Sequence, residues 1–173
     1  MSYESLGVWQ RNAYYWEYTS FDSCLGHPDA SGTYHNHVNP ICLYNYTNSA
    51  AHSPIVGWAF DGYPIYGTFG YNSANLSTSA IKRIQSSFVL RSITNRTSLS
   101  NGTMLSSTYY GPPINSTYPL GSFLQDYVYS AGSGDLDQYN GRWCVTPDFP
   151  SGTYAYFITT NSSGVPQYPF ISK

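Results

Sequence analysis

Four histidines, His27, His35, His37 and His52, are the residues best suited to do chemistry, and all fall within one short stretch of a 173-residue chain. In Tyr34-His35-Asn36-His37 the two imidazoles are separated by one residue. Alternate residues of a strand project from the same face, so a strand here points both rings the same way. Neutral imidazole suits zinc, copper, iron and nickel. His27 precedes the turn leading into this strand and could add a third nitrogen. His52, beside Ser53-Pro54, could enter from a neighbouring strand. The expected ligand set is therefore His27, His35, His37 and His52, holding copper or zinc. Imidazole protonation would weaken such a site below about pH 6. The competing reading is that these rings hydrogen-bond within a tyrosine-rich core and sheet edge.

An internal echo bears on the choice. His27-Pro28-Asp29-Ala30-Ser31-Gly32-Thr33-Tyr34-His35-Asn36-His37 returns, with one residue inserted, as Thr146-Pro147-Asp148-Phe149-Pro150-Ser151-Gly152-Thr153-Tyr154-Ala155-Tyr156-Phe157. Each copy reads as a Pro-Asp turn, a Ser-Gly corner and an emerging strand. On this alignment Thr146, Ala155 and Phe157 stand where the first copy has His27, His35 and His37. The scaffold can be built without imidazoles, so the histidines need a separate reason.

Carboxylates are scarce. Asp61, in Asp61-Gly62-Tyr63-Pro64, follows an apolar run and is expected to cap a turn or to support the histidines. Asp135 and Asp137 faintly resemble a calcium loop, but the glycine is one place late and Thr146 stands where the last acid belongs, so calcium is the weaker expectation. The only glutamates, Glu4 and Glu17, lie far from the histidines in sequence, which disfavours a Glu general base. There is no Gly-X-Ser-X-Gly elbow, no phosphate-cradling loop with Lys and no His-Glu-X-X-His. Whether the chain is an enzyme is left undecided; a metal-dependent oxidase or hydrolase acting on surface polymers is the enzymatic alternative.

The elements that must position these residues read as strands. Aromatic and β-branched runs alternate with Gly, Pro, Asn and Ser at residues 13–18, 32–38, 41–44, 55–60 and 152–159. Ile81, Ile84, Phe88 and Ile93 recur near helical spacing behind Ser79, predicting one helix over 79–93. A second short helix or strand is expected over 123–129, and residues 94–121 read as a long exposed excursion. The fold class that follows is all-β, a sandwich or jelly-roll-like arrangement in a single domain over residues 1–173, with one short helix and long loops.

Composition narrows the setting. Charged residues make up 9% and the net charge is −2, so nothing attracts nucleic acid. No apolar run is long enough to span a membrane. Met1-Ser2-Tyr3-Glu4 lacks the features of a signal peptide, so an exported protein would be a mature chain or an excised domain. Six Asn-X-Ser/Thr triplets, at Asn45, Asn75, Asn95, Asn101, Asn115 and Asn161, predict N-linked glycans that would offset the missing charge. Cys24, Cys42 and Cys144 show no Cys-X-X-Cys spacing. A Cys24–Cys42 bridge would close a short loop and stabilise the fold by about 3 kcal/mol. Spacing alone does not fix the connectivity; Cys144 would then be buried or paired with another chain. These features point to an extracellular or cell-surface glycoprotein.

Several motifs together resemble the YHYH domain family. They are Gly26-His27-Pro28, Gly32 through His37, the run His52-Ser53-Pro54-Ile55-Val56-Gly57-Trp58-Ala59-Phe60-Asp61-Gly62-Tyr63-Pro64-Ile65-Tyr66-Gly67, Gly134 through Asp137, and Asn140 through Phe157. The family's Tyr-His-Tyr-His element reads Tyr34-His35-Asn36-His37, with both histidines kept and the second tyrosine replaced. The resemblance implies a secreted or cell-surface domain and no particular activity. It also implies further upstream strands, so either residues 3–10 suffice or a strand comes from another segment or another copy, which would favour a homo-oligomer or filament. The leading expectation is a metal-binding extracellular domain. The alternative is a structural surface or filament-forming subunit with structural histidines.

Overall fold

A computed structural model describes residues 5–171; Tyr3 and Glu4, which open the N-terminal stretch considered above, lie outside them. In chain order the strands are β1 (Ser5–Leu6), β2 (Trp9–Gln10), β3 (Gly26–Pro28), β4 (Tyr34–Asn36), β5 (Ile55–Trp58) and β6 (Pro64–Tyr66). They continue as β7 (Phe69–Tyr71), β8 (Ile81–Arg83), β9 (Phe88–Leu90), β10 (Tyr127–Tyr129), β11 (Gly141–Cys144) and β12 (Thr153–Phe157). Among the described residues the one α-helix is α1 (Ala13–Trp16). The fold is all-β: among the described residues one four-stranded sheet, β11-β12-β6-β5, stands with several two-stranded ribbons and no barrel. Among the described residues no helix is long and apolar enough to cross a membrane.

The chain packs as two compact units. The first joins residues up to Phe21 with Phe88–Ser130. Its centre is Arg96, fully buried, whose guanidinium donates to both carboxylate oxygens of the equally buried Asp126 at 2.8 Å. The same guanidinium donates to the carbonyls of Pro112, Tyr118 and Pro119, and its face lies over Phe123. The excursion expected over 94–121 is therefore irregular but wrapped around a buried ion pair, because a guanidinium out of water must fill its donors from nearby carbonyls.

The second unit comprises Asp22–Ser87 and Ala131–Lys173 and contains every histidine. Its core gathers Tyr66, Ile84, Leu136, Cys144, Ala155 and Phe157. Within the sheet β12 runs antiparallel to β11 and parallel to β6, with Tyr156 opposite Ile65 and Phe157 opposite Tyr66.

Three local expectations are corrected. Residues 79–93 form β8 and β9 rather than a helix: β8 pairs with β7, β9 pairs with β10, and the two units divide between Ser87 and Phe88. Long-range pairing and the Lys82–Asp135 ion pair at 2.5 Å override a weak helical spacing of β-branched residues. Residues 13–18 begin as α1 rather than a strand, because the buried Asn12 caps it by accepting the Tyr14 amide at 3.1 Å. Residues 41–44 are turns, held by Ile41 N–H to Asn39 and Leu43 N–H to Pro40. The expectation for 123–129 holds in both its forms, a short 3-10 turn at Leu124–Asp126 followed by β10.

Candidate metal centre

The ribbon β3–β4 builds the site. His27 stands directly opposite His35, with Gly26 opposite Asn36 and Pro28 opposite Tyr34. Cross-strand partners share a face and so do residues two apart, which brings His27, His35 and His37 together. The Nε2 atoms of His27 and His35 are 3.1 Å apart, those of His27 and His37 3.1 Å, and those of His35 and His37 2.9 Å. All three rings are half-buried.

This triangle is hard to satisfy with protons alone. Each neutral Nε2 is either a donor or an acceptor, so at most two of the three contacts can be hydrogen bonds and the remaining pair sets like against like. A single cation answers all three lone pairs: an ion about 2.0–2.1 Å from each nitrogen would sit about 1 Å above their plane. His35 is held in the tautomer this requires, since its Nδ1 lies 3.2 Å from the Thr33 carbonyl, which accepts the Nδ1 proton and leaves Nε2 bare. Three nitrogens on one side would leave a fourth position for water or a ligand.

The opposite face of the ribbon is architectural. The Tyr34 hydroxyl donates to Asp22 at 2.9 Å, and the Asn36 amide donates to the Cys24 carbonyl at 3.3 Å. Gly26 lets the Tyr34 ring cross the strand, where a β-carbon would overlap the phenol. Asp22 also accepts the amides of Cys24 and Gly26, and this hydrogen bonding, led by Gly26, holds its carboxyl below the usual range. The tetrapeptide thus alternates: Tyr34 and Asn36 hold the ribbon, and His35 and His37 face the site. Cys24 and Cys42 are joined by a disulfide, and Cys144 is free and buried, its thiol pKa raised by that burial.

The echo is real, but its register differs from the sequence alignment. Asp137 accepts the amides of Tyr139 and Gly141 and the hydroxyl of Tyr154, as Asp22 does those of Cys24, Gly26 and Tyr34. Tyr154 crosses Gly141 as Tyr34 crosses Gly26. Asn140 and Leu25, the residues before the two glycines, both adopt positive φ, +65° and +61°. Arg142, next after Gly141, pairs with Ala155 just as His27, next after Gly26, pairs with His35. The counterpart of His27 is therefore Arg142, not Thr146. The longer second turn and its repeated Pro-Asp misled the alignment; the shared Asp-X-X-X-Gly is too short a signal to correct it.

His52 stands apart from the other three. Ser53 anchors its segment to β7, its amide donating to Phe69 O and its hydroxyl accepting Phe69 N–H. That directs the His52 ring among Tyr66, Tyr71 and Phe157. Nδ1 donates to the Ser53 carbonyl at 2.8 Å, while Nε2 is shut from solvent with no protein hydrogen-bond partner. Burial lowers its pKa. Among the described residues the converging group is His27, His35 and His37.

The carboxylates also have separate employment. Asp61 accepts the Tyr156 hydroxyl at 2.5 Å and the Tyr63 amide, and burial followed by this bond raises the Tyr156 pKa to about 12. Asp135 pairs with Lys82 and accepts the Gln85 amide, while Asp137 holds the second ribbon. Asp135 and Asp137 therefore serve different partners.

No curated protein and no solved structure shows significant similarity to the chain. A family model described as YHYH protein matches residues 1–169, both units together. The chain therefore belongs to the YHYH protein family, with the motif's two histidines turned into the triad and its surviving tyrosine into the frame behind it.

Proposed function

We propose that this chain is an extracellular glycoprotein domain that holds a transition-metal ion, copper or zinc, on His27, His35 and His37. The observation that carries the reading is the convergence of three Nε2 atoms within 2.9–3.1 Å of one another. Imidazole nitrogen is a good donor for either ion, and a three-nitrogen set leaves room for an exogenous ligand. His52, enclosed by aromatic rings, serves the core of its unit in this reading. Metal content of untagged protein is the test, compared with a His35→Ala/His37→Ala variant. About one equivalent in the wild type and almost none in the variant is expected; equal content sinks the proposal.

The extracellular setting rests on the disulfide, which persists in oxidising compartments. The glycan reading rests on exposure at Asn45, Asn75, Asn95, Asn101 and Asn115.

A structural role as a surface or filament subunit is the second reading, favoured by exposed rings on the four-stranded sheet. Trp143 is 66% exposed on β11 and Trp58 59% on β5, the two outer strands of that sheet. Electron microscopy of native material tests it: ordered assemblies support it, and a monodisperse monomer at high concentration contradicts it.

A further inference from the structure

We propose that the Cys24–Cys42 disulfide is the positioning element of the histidine triad, so that cutting it loosens the metal site. The inference rests on the metal reading above and adds a redox control to that site. All three ligand histidines lie inside the loop that the bridge closes, between residues 24 and 42.

The two copies of the hairpin show why a bridge is needed here. In the second copy Phe157, the counterpart of His37, is a ladder residue of β12, held opposite Tyr66 by a third strand. In the first copy the ladder ends at Asn36 and, among the described residues, β3–β4 has no third strand, so His37 lies beyond the strand ladder. The bridge to Cys42, five residues past His37, fastens that end of the segment to the loop before β3. The second copy has Tyr139 at the place of Cys24 and forms the same Asp-centred loop, so the loop itself needs no bridge. Cys42 is exposed and Cys24 half-buried, which leaves the bridge open to a small thiol.

In the redox step a dithiol reductant gives two electrons to the Cys24–Cys42 bond and closes to its own disulfide. The two sulfurs take up its two protons and become thiols. The segment from His37 to Cys42 then keeps the burial of Val38, Asn39 and Pro40 and the Tyr44 hydroxyl donating to Asn39, but loses its covalent tie to the loop before β3. Linkage is reciprocal: whatever the bridge contributes to metal affinity, bound metal contributes to resistance of the bridge to reduction.

The test is zinc(II) affinity, by competition with a chromophoric chelator, in three forms of the full chain. These are the oxidised wild type, a Cys24→Ala/Cys42→Ala variant, and reduced protein alkylated at both thiols so that neither sulfur can bind zinc. Loop entropy sets the expected loss at about 10- to 100-fold in both opened forms. Circular dichroism establishes that they remain folded. Equal affinity in folded opened forms overturns the proposal. If the opened forms do not fold, reduction of the wild type by tris(2-carboxyethyl)phosphine, which does not sequester zinc as a dithiol does, with and without saturating zinc decides. Protection by zinc supports the proposal, and no protection overturns it. Absence of binding by the oxidised wild type to zinc, and to copper in the same assay, overturns the metal reading instead.

Discussion

Tyr34 lies across Gly26 so closely that a β-carbon at residue 26 would overlap the phenol, and the ring's hydroxyl then reaches Asp22. This crossing fills the face of the β3–β4 ribbon away from the histidines, leaving no room for a side chain at residue 26. Gly26→Ala should therefore destabilise the second unit by about 1–3 kcal/mol through overpacking. Gly26→Ala/Tyr34→Ala should lose less than the sum of its parts, because the clash disappears with the ring. Denaturant unfolding of the four proteins measures the coupling. Gly141 and Tyr154 should show the same pattern.

The sequence made the face of the site legible but not its frame. Two histidines one residue apart on a strand must share a side, and His27 across the turn completed the triad. His52 lies outside the cluster because proximity in sequence says nothing about Ser53 being tied to β7. The strand-rich class followed from aromatic and β-branched runs, whereas the helix over 79–93 failed because pairing with β7 and β10 decides those residues. Arg96 gave no signal at all, since its burial depends on carbonyls and a carboxylate up to 30 residues away.

Arg96→Met should be among the most damaging single changes in the first unit. Asp126 would keep the Gly121 and Phe123 amides but lose both guanidinium bonds while fully buried. Removing one partner of a buried pair costs about 3–5 kcal/mol. Thermal unfolding should show a large drop, with Arg96→Lys intermediate because it keeps the charge without the fork.

His52 should make stability pH-dependent. Burial lowers its pKa from the ordinary 6.5, so the folded protein keeps the ring neutral where the unfolded chain protonates it. The stability this represents is present above about pH 6.5 and is lost as pH falls toward the depressed folded value. Subtracting the unfolding free energy of His52→Gln from that of the wild type, from pH 8 to 5, should give a difference that declines below pH 6.5. A flat difference contradicts it.

Glycan occupancy should follow exposure. The Asn161 side chain is half-buried and accepts the amides of Ser163 and Val165. In protein made through a eukaryotic secretory pathway, mass spectrometry should find Asn45, Asn75, Asn95, Asn101 and Asn115 more fully modified than Asn161. Higher occupancy at Asn161 than at the exposed five runs against this expectation.

X-ray absorption at the metal edge of untagged, metal-loaded protein tests the central claim most directly. Three imidazole nitrogens at about 2.0–2.1 Å from one ion, falling to at most one in His35→Ala/His37→Ala, is the predicted result. An ion with fewer than three imidazoles, or with a coordination shell unchanged by that substitution, contradicts it.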